Sequence, residues 1–237
     1  MHAHEGHGST QHEIPSVERV LSLLRAEYGE PAPPRIVPPV DELVATILSQ
    51  NTSDVNTARS FGALKQTFPT WEEVLAATDE QLANVIRSGG LADQKAPRIR
   101  GVLREIKCRT GSFDLAFLAD LPLDEAKAWL TSLSGVGPKT AACVLLFSLQ
   151  RPAMPVDTHV HRVASRLGWL PQGTGAERAH IILEGMVPPG DILAAHLLLI
   201  QHGRRTCRAR QPACQRCVLR GDCPSAGTFT EIDRTTT

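Results

Sequence analysis

Between Leu133 and Asp157 the chain reads LSGVGPKTAACVLLFSLQRPAMPVD. Gly135 and Gly137 flank Val136 and let the backbone turn sharply, presenting N–H groups without obstruction by a Cβ. Pro138 stands where the first residue of a helix loses nothing by lacking a donor. The turn amides and the helix N-terminus then form an anion site suited to a phosphate. Lys139 follows at once. The positive end of the helix dipole disfavours a second positive charge there and favours the free amine, which is a nucleophile. Asp157, one helix and one loop later, is placed either to cap the helix THVHRVASRLG or to turn a carboxylate toward the amine. An amine, a carboxylate and a phosphate-binding turn point together to chemistry on DNA.

A second cluster is Cys207-x6-Cys214-x2-Cys217-x5-Cys223, four thiols within 17 residues. The loops between them are too short for a core of their own, so the thiols can close around one metal centre. Tetrahedral zinc and an iron–sulfur cluster both use four cysteines, and spacing alone leaves the two open. Cys108 and Cys143 lie in apolar helical surroundings and read as buried thiols.

The elements that must carry these groups read as helices. Ser16–Tyr28 puts Val17, Val20, Leu21 and Leu24 on one face. Five prolines between Pro31 and Pro39 exclude a helix and mark an extended connector. From Asp41 onward apolar residues recur at helical spacing, with Asp54 expected to cap one helix and Thr70 and Thr78 to open two more. Further helices are expected over 94–109, 124–132, 139–149, 158–168, 176–186 and 192–203. No alternating strand pattern or Asn-Gly hairpin is found. The fold class is all-α.

Composition sets the outer limits. Aromatics are only 4% of the 237 residues, so the core must be built from Leu, Val, Ile and Ala. No apolar run approaches the ~20 residues that cross a bilayer, and MHAHEGHGST has no apolar secretory region. No membrane partner and a cytoplasmic, nucleoid-associated monomer are the expectation. His2, His4, His7 and His12 fall in a stretch, residues 1–15, that reads as a disordered tail. Net charge is zero from 25 basic and 25 acidic residues, which argues against a charge-driven DNA coat. Charge is nevertheless local. Arg204, Arg205, Arg208, Arg210, Arg216 and Arg220 face one acid, Asp222, and 95–109 adds Arg98, Arg100, Arg104 and Lys107 beside Glu105. Two such patches suit a phosphate-binding face.

Together, LSGVGPKTAACVL, VDTHVHRV and the cysteine spacing closely resemble the endonuclease III family of DNA glycosylases in the helix-hairpin-helix superfamily. The resemblance covers about 16–223. It implies a two-lobed fold: a six-helix barrel lobe over 41–150, and an iron–sulfur lobe from 16–40 and 151–230, in which Cys207, Cys214, Cys217 and Cys223 hold a 4Fe-4S cluster. It implies Lys139 and Asp157 as the catalytic pair, and Gly135, Val136 and Gly137 as backbone contacts to DNA. ILSQNTSDVN resembles the family's pocket loop, which makes Asn51 the residue that fills the vacated base position and Gln50 and Asp54 pocket residues. SGGLADQKA resembles the loop that wedges into the duplex, with Leu91 as the wedge. His159 is a further candidate for a phosphate contact. Where relatives carry Ala-Gln and Arg, this chain has Gln50-Asn51 and Pro138.

The activity so implied is base excision repair on double-stranded DNA with a damaged base or an abasic site. Lys139 would attack the sugar, release an oxidised pyrimidine and break the strand by β-elimination. A mismatch glycosylase acting on thymine or uracil opposite guanine, without strand cleavage, is the nearest rival. A DNA-binding or redox-sensing iron–sulfur module is the rival from outside enzymes.

Overall fold

The computed structural model describes residues 13–33 and 35–229; the four N-terminal histidines lie outside that range. Among the described residues there is no strand, and no single helix is long and apolar enough to cross a membrane. The chain divides into two compact units. One takes the residues up to Ala32 and from Val156 onward, and the other takes Pro33–Pro155. The boundaries therefore fall at 32/33 and 155/156, where the resemblance implied 40/41 and 150/151.

The Pro33–Pro155 unit holds seven α-helices where six were implied: α2 (Pro39–Ser49), α3 (Asp54–Thr67), α4 (Trp71–Ala76), α5 (Asp79–Ile86), α6 (Ala92–Thr110), α7 (Leu123–Thr131) and α8 (Pro138–Cys143). The residue pattern itself already reads as seven there, with Thr70 and Thr78 each opening a short helix as expected. Both close a capping box, Thr70 with Glu73 and Thr78 with Gln81, which satisfies amides that a short helix cannot satisfy alone. Pro39 opens α2 instead of ending the connector, since the first helical position needs no N–H. Asp54 is not the cap of α3. Ser53 is, its hydroxyl accepting from the Asn56 amide at 3.3 Å, while Asp54 is the first helical residue.

The core of this unit is aliphatic. Leu43, Ile47 and Leu48 of α2 meet Leu82 and Ile86 of α5 and Ile99, Leu103 and Ile106 of α6, all fully buried. Each such side chain is worth roughly 1.5–3 kcal/mol of burial. Cys108 is exposed, because it sits two residues past Ile106 and so on the opposite side of α6 from the core stripe. Cys143 is buried. The helix expected over 139–149 is α-helical only to Cys143, then widens into a π-helical turn over Val144–Ser148.

The other unit packs α1 (Val17–Tyr28) and α9 (Thr158–Arg166) on α11 (Ile192–Arg205), with α10 (Ala176–Met186) between the last two in sequence. Ser16 caps α1, and Val17, Val20, Leu21 and Leu24 are buried as the periodicity predicts. At Gly203 a Cβ would come within 2.9 Å of the Cβ of His159, so α9 and α11 approach closely at that point. The described residues begin before Ser16. Pro15 is buried, and its carbonyl accepts the Trp169 indole N–H at 2.7 Å, so residues 13–15 do not belong to a disordered tail.

Candidate nucleic-acid interface and cysteine site

The Gly135–Gly137 turn forms as expected. Gly135 adopts φ +83°, and the Val136 amide donates to the Leu133 carbonyl at 3.0 Å. Val136 is thereby committed to the fold: its side chain is buried and its amide is spent within the turn. The Ser134 amide is also occupied, by the Glu105 carboxylate at 3.1 Å. The amides of Gly135, Gly137 and Lys139 have no partner among the described residues, and these are the donors available to an anion. Lys139 is half-buried in the first turn of α8.

Two loops of the same unit carry Gln50-Asn51 and Leu91. Asn51 and Leu91 are both exposed and both left-handed, with φ +55° and +52°. For a leucine that conformation costs roughly 1–2 kcal/mol. Arg98 ties one of these loops to the turn. Its side chain runs across Gly135, where a Cβ would lie 3.0 Å from Arg98 Cδ, and its guanidinium donates to Gln50 Oε1 at 2.7 Å. Asp54 stands on the exposed start of α3 beyond that loop.

The basic stretch 95–109 is less of a free patch than its composition suggests. Arg100 pairs with Asp79, Lys107 with Glu72 and Arg109 with Glu105, acids supplied mostly by other elements. Lys95 is buried at 3% exposure and donates to the carbonyls of Leu48 at 2.7 Å and Gly89 at 2.9 Å. Burial holds its ammonium below the usual lysine range. The six arginines of the 204–220 stretch are all exposed.

Sequence reasoning missed Lys95 and also Glu42, which lies in the first turn of α2. Glu42 accepts from the Thr46 hydroxyl at 3.1 Å. Burial pushes its carboxyl above the usual range, while the Thr46 hydrogen bond and the charge of Lys139 pull the other way. The available signal was a carboxylate one residue before the apolar run LVATILS.

In the other unit Asp157 caps α9, its Oδ1 accepting from the Val160 amide at 2.7 Å. His159 Nδ1 lies 3.1 Å from an Arg162 Nη2. Arg162 also donates to the carbonyls of Gly203 and Cys207, and Arg166 donates to Cys207 Sγ at 3.2 Å and to the Arg208 carbonyl at 2.7 Å. The helix that Asp157 starts thus fastens the cysteine loop through an i,i+4 arginine pair legible in HRVASR.

Cys207, Cys214, Cys217 and Cys223 all line one pocket, walled by Arg166, His202 and Leu219 among others. Burial, with weaker repulsion from the neighbouring thiolates, pushes Cys217 up to about 11, and Cys214 and Cys223 upward as well. No three of the described His, Cys, Asp and Glu side chains gather as ligands of a single metal ion. Burial holds His202 down to about 4, so its ring is neutral at pH 7. Its Nε2 lies 3.7 Å from Cys217 Sγ, and its Nδ1 lies 3.0 Å from the Tyr28 hydroxyl.

Comparison with known proteins gives consistent results. Residues 44–189 match the family described as HhH-GPD superfamily base excision DNA repair protein. A candidate DNA glycosylase of Arabidopsis thaliana is 37% identical over 193 residues, covering 80% of this chain and 66% of its own length, so this chain spans just under two thirds of it. Endonuclease III of Sulfolobus acidocaldarius is 34% identical over 183 residues, covering 76% of this chain and 79% of its own. A solved structure of a trapped endonuclease III–DNA covalent intermediate superposes with TM-score 0.77 at 26% identity, covering 90% of this chain and 96% of that one.

Proposed function

Since the chain belongs to the endonuclease III family of helix-hairpin-helix base excision repair DNA glycosylases, we propose that it is a bifunctional enzyme, releasing oxidised pyrimidines and cleaving the strand at the resulting abasic site. The observation that carries this reading is Lys139, placed directly after the Gly135–Gly137 turn whose free amides suit a backbone phosphate. The solved structure of a covalent endonuclease III–DNA intermediate supports it.

On this reading the damaged nucleotide leaves the stack at a cost of a few kcal/mol, least for a weakened pair. The Gly135 and Gly137 amides hold a flanking phosphate, and Asn51 and Leu91 occupy the vacated space. Lys139 Nζ attacks the sugar C1′; the C1′–N bond breaks and its electron pair leaves with the base. The attacking amine gives up one proton, the C1′–O4′ bond opens as O4′ takes up a proton, and the resulting iminium lets C2′ lose a proton while the C3′–O bond breaks and the 3′ phosphate leaves by β-elimination. Asp157 takes up a proton from the amine and offsets the positive charge on the sugar. Double-stranded DNA with a damaged base or abasic site is the partner, and the protein acts as a monomer.

Cys207, Cys214, Cys217 and Cys223 would hold a 4Fe-4S cluster. Their shared pocket, into which four soft sulfur donors converge, fits such a group. A bound cluster supplies metal–thiolate bonds that close the loop upon itself.

Borohydride added with an abasic duplex tests the central step. Wild type should be trapped as a covalent adduct, and Lys139→Gln should give none while still binding the duplex. Base release by wild type without any adduct would mean a glycosylase that lacks the lyase step. A panel of thymine glycol, dihydrouracil, and uracil or thymine opposite guanine assigns the substrate, with the first two expected to be released fastest.

A further inference from the structure

We infer that Lys95 is a positioning residue for lesion recognition, one that sets the spacing of the two loops inserted where the damaged nucleotide has left. The inference rests on the glycosylase reading above for the roles of Asn51 and Leu91.

The geometry is specific. Lys95 lies in the first turn of α6, turned inward and 3% exposed. Its ammonium donates to Leu48, whose carbonyl is among the last of α2, and to Gly89, in the loop before α6. A helix C-terminus leaves its final carbonyls unsatisfied and favours a cation. Leu48 stands three residues before Asn51, and Gly89 two residues before Leu91. One charged group therefore fastens the roots of both loops, and each loop then enters a left-handed residue at its exposed tip.

Gly89 is held from its other side as well. A Cβ there would lie 2.6 Å from Ser60 Oγ, and that hydroxyl is 3.0 Å from Ser88 Oγ. With α3 pressing on one face and Lys95 on the other, the 88–91 loop has little room to choose another height over α2. An apolar side chain at position 95 would fill the volume but leave two buried carbonyls without donors, at roughly 1–3 kcal/mol each. The loop would relax to find other partners, and the distance between Asn51 and Leu91 would no longer be fixed.

The test uses the full chain, a duplex carrying a tetrahydrofuran abasic analogue, and the same duplex undamaged. Lys95→Met should lower the preference for the abasic duplex about tenfold, with affinity for undamaged DNA within about twofold of wild type. The ratio of two affinities on one folded sample does not move with stability alone. Leu91→Ala should also lower the preference in wild type, yet add less than about twofold in the Lys95→Met background, because coupled positions are not additive. Fluorescence of 2-aminopurine opposite the abasic analogue should change on binding wild type and change less on binding the variant.

Should Lys95→Met fail to fold, Lys95→Gln keeps an N–H donor in place and is expected to lose the preference about threefold, with the same non-additivity toward Leu91→Ala. An undiminished preference, or losses at 95 and 91 that multiply independently, would overturn the inference and leave the glycosylase reading standing. A wild-type protein that does not prefer the abasic duplex at all would bring down both.

Discussion

The carboxylate of Asp157 and the amide of Val160 meet at 2.7 Å, so the acid assigned to catalysis is also the cap of α9. The two roles separate by substitution. Asparagine caps a helix about as well as aspartate but carries no charge. Asp157→Asn should therefore melt within about 1 °C of wild type while base release slows by about a hundredfold or more. Asp157→Ala should lose about 1 kcal/mol of stability and about 2–4 °C in Tm as well. Unchanged turnover in Asp157→Asn would leave the residue as a cap and nothing more.

Leu91 is a strained and exposed leucine, held at φ +52° with 46% of its surface open. Asparagine tolerates that backbone far better. Leu91→Asn should raise Tm by about 2 °C, and the same change should weaken binding to an abasic duplex about fivefold, because an apolar wedge is gone. A variant that gains stability and keeps full affinity would show that the side chain does not enter the duplex.

Glu42 gives a pH signature. A carboxyl raised by burial binds more protons folded than unfolded, so its contribution is fully present below the ordinary carboxylate range and is lost as pH rises through the raised value. Glu42→Gln keeps an acceptor for Thr46 and removes that loss. Thermal melts should find the variant more stable than wild type at about pH 8 and level with it at about pH 4, near the ordinary glutamate value. A variant less stable at about pH 8 would mean that attraction to Lys139 outweighs burial.

For the cysteine site the readout is colour and metal content. Purified protein should be yellow-brown and contain iron, and Cys214→Ser should lose the colour and melt roughly 10 °C lower as the loop opens. A colourless, zinc-loaded wild type would assign the four thiols to zinc instead.

Much of this was legible in the sequence, and the gaps have physical causes. Helix α10 was placed to the residue because its flanks are clean, Gly175 before it and Val187-Pro188-Pro189 after it. Caps were legible where Thr70 and Thr78 had a partner three residues on; at α3 two adjacent capping types, Ser53 and Asp54, competed, and it is Ser53 that accepts the Asn56 amide. The turn at Gly135 was legible because only glycine suits φ +83°. Lys95 was not, since a lysine among Arg98, Arg100 and Lys107 reads as surface charge until the fold supplies two carbonyls for it. The π turn at Val144–Ser148 has no compositional mark at all.

Helix α1 belongs to a unit whose remaining members all follow Val156. A ribosome therefore releases α1 long before α9 and α11 exist to cover Val20, Leu21 and Leu24. The Pro33–Pro155 unit can close during synthesis, whereas the other unit waits for its last helix, with its first helix greasy and unsheltered in the meantime. Delayed or stalled translation after Pro155 is the moment at which this protein most needs a chaperone.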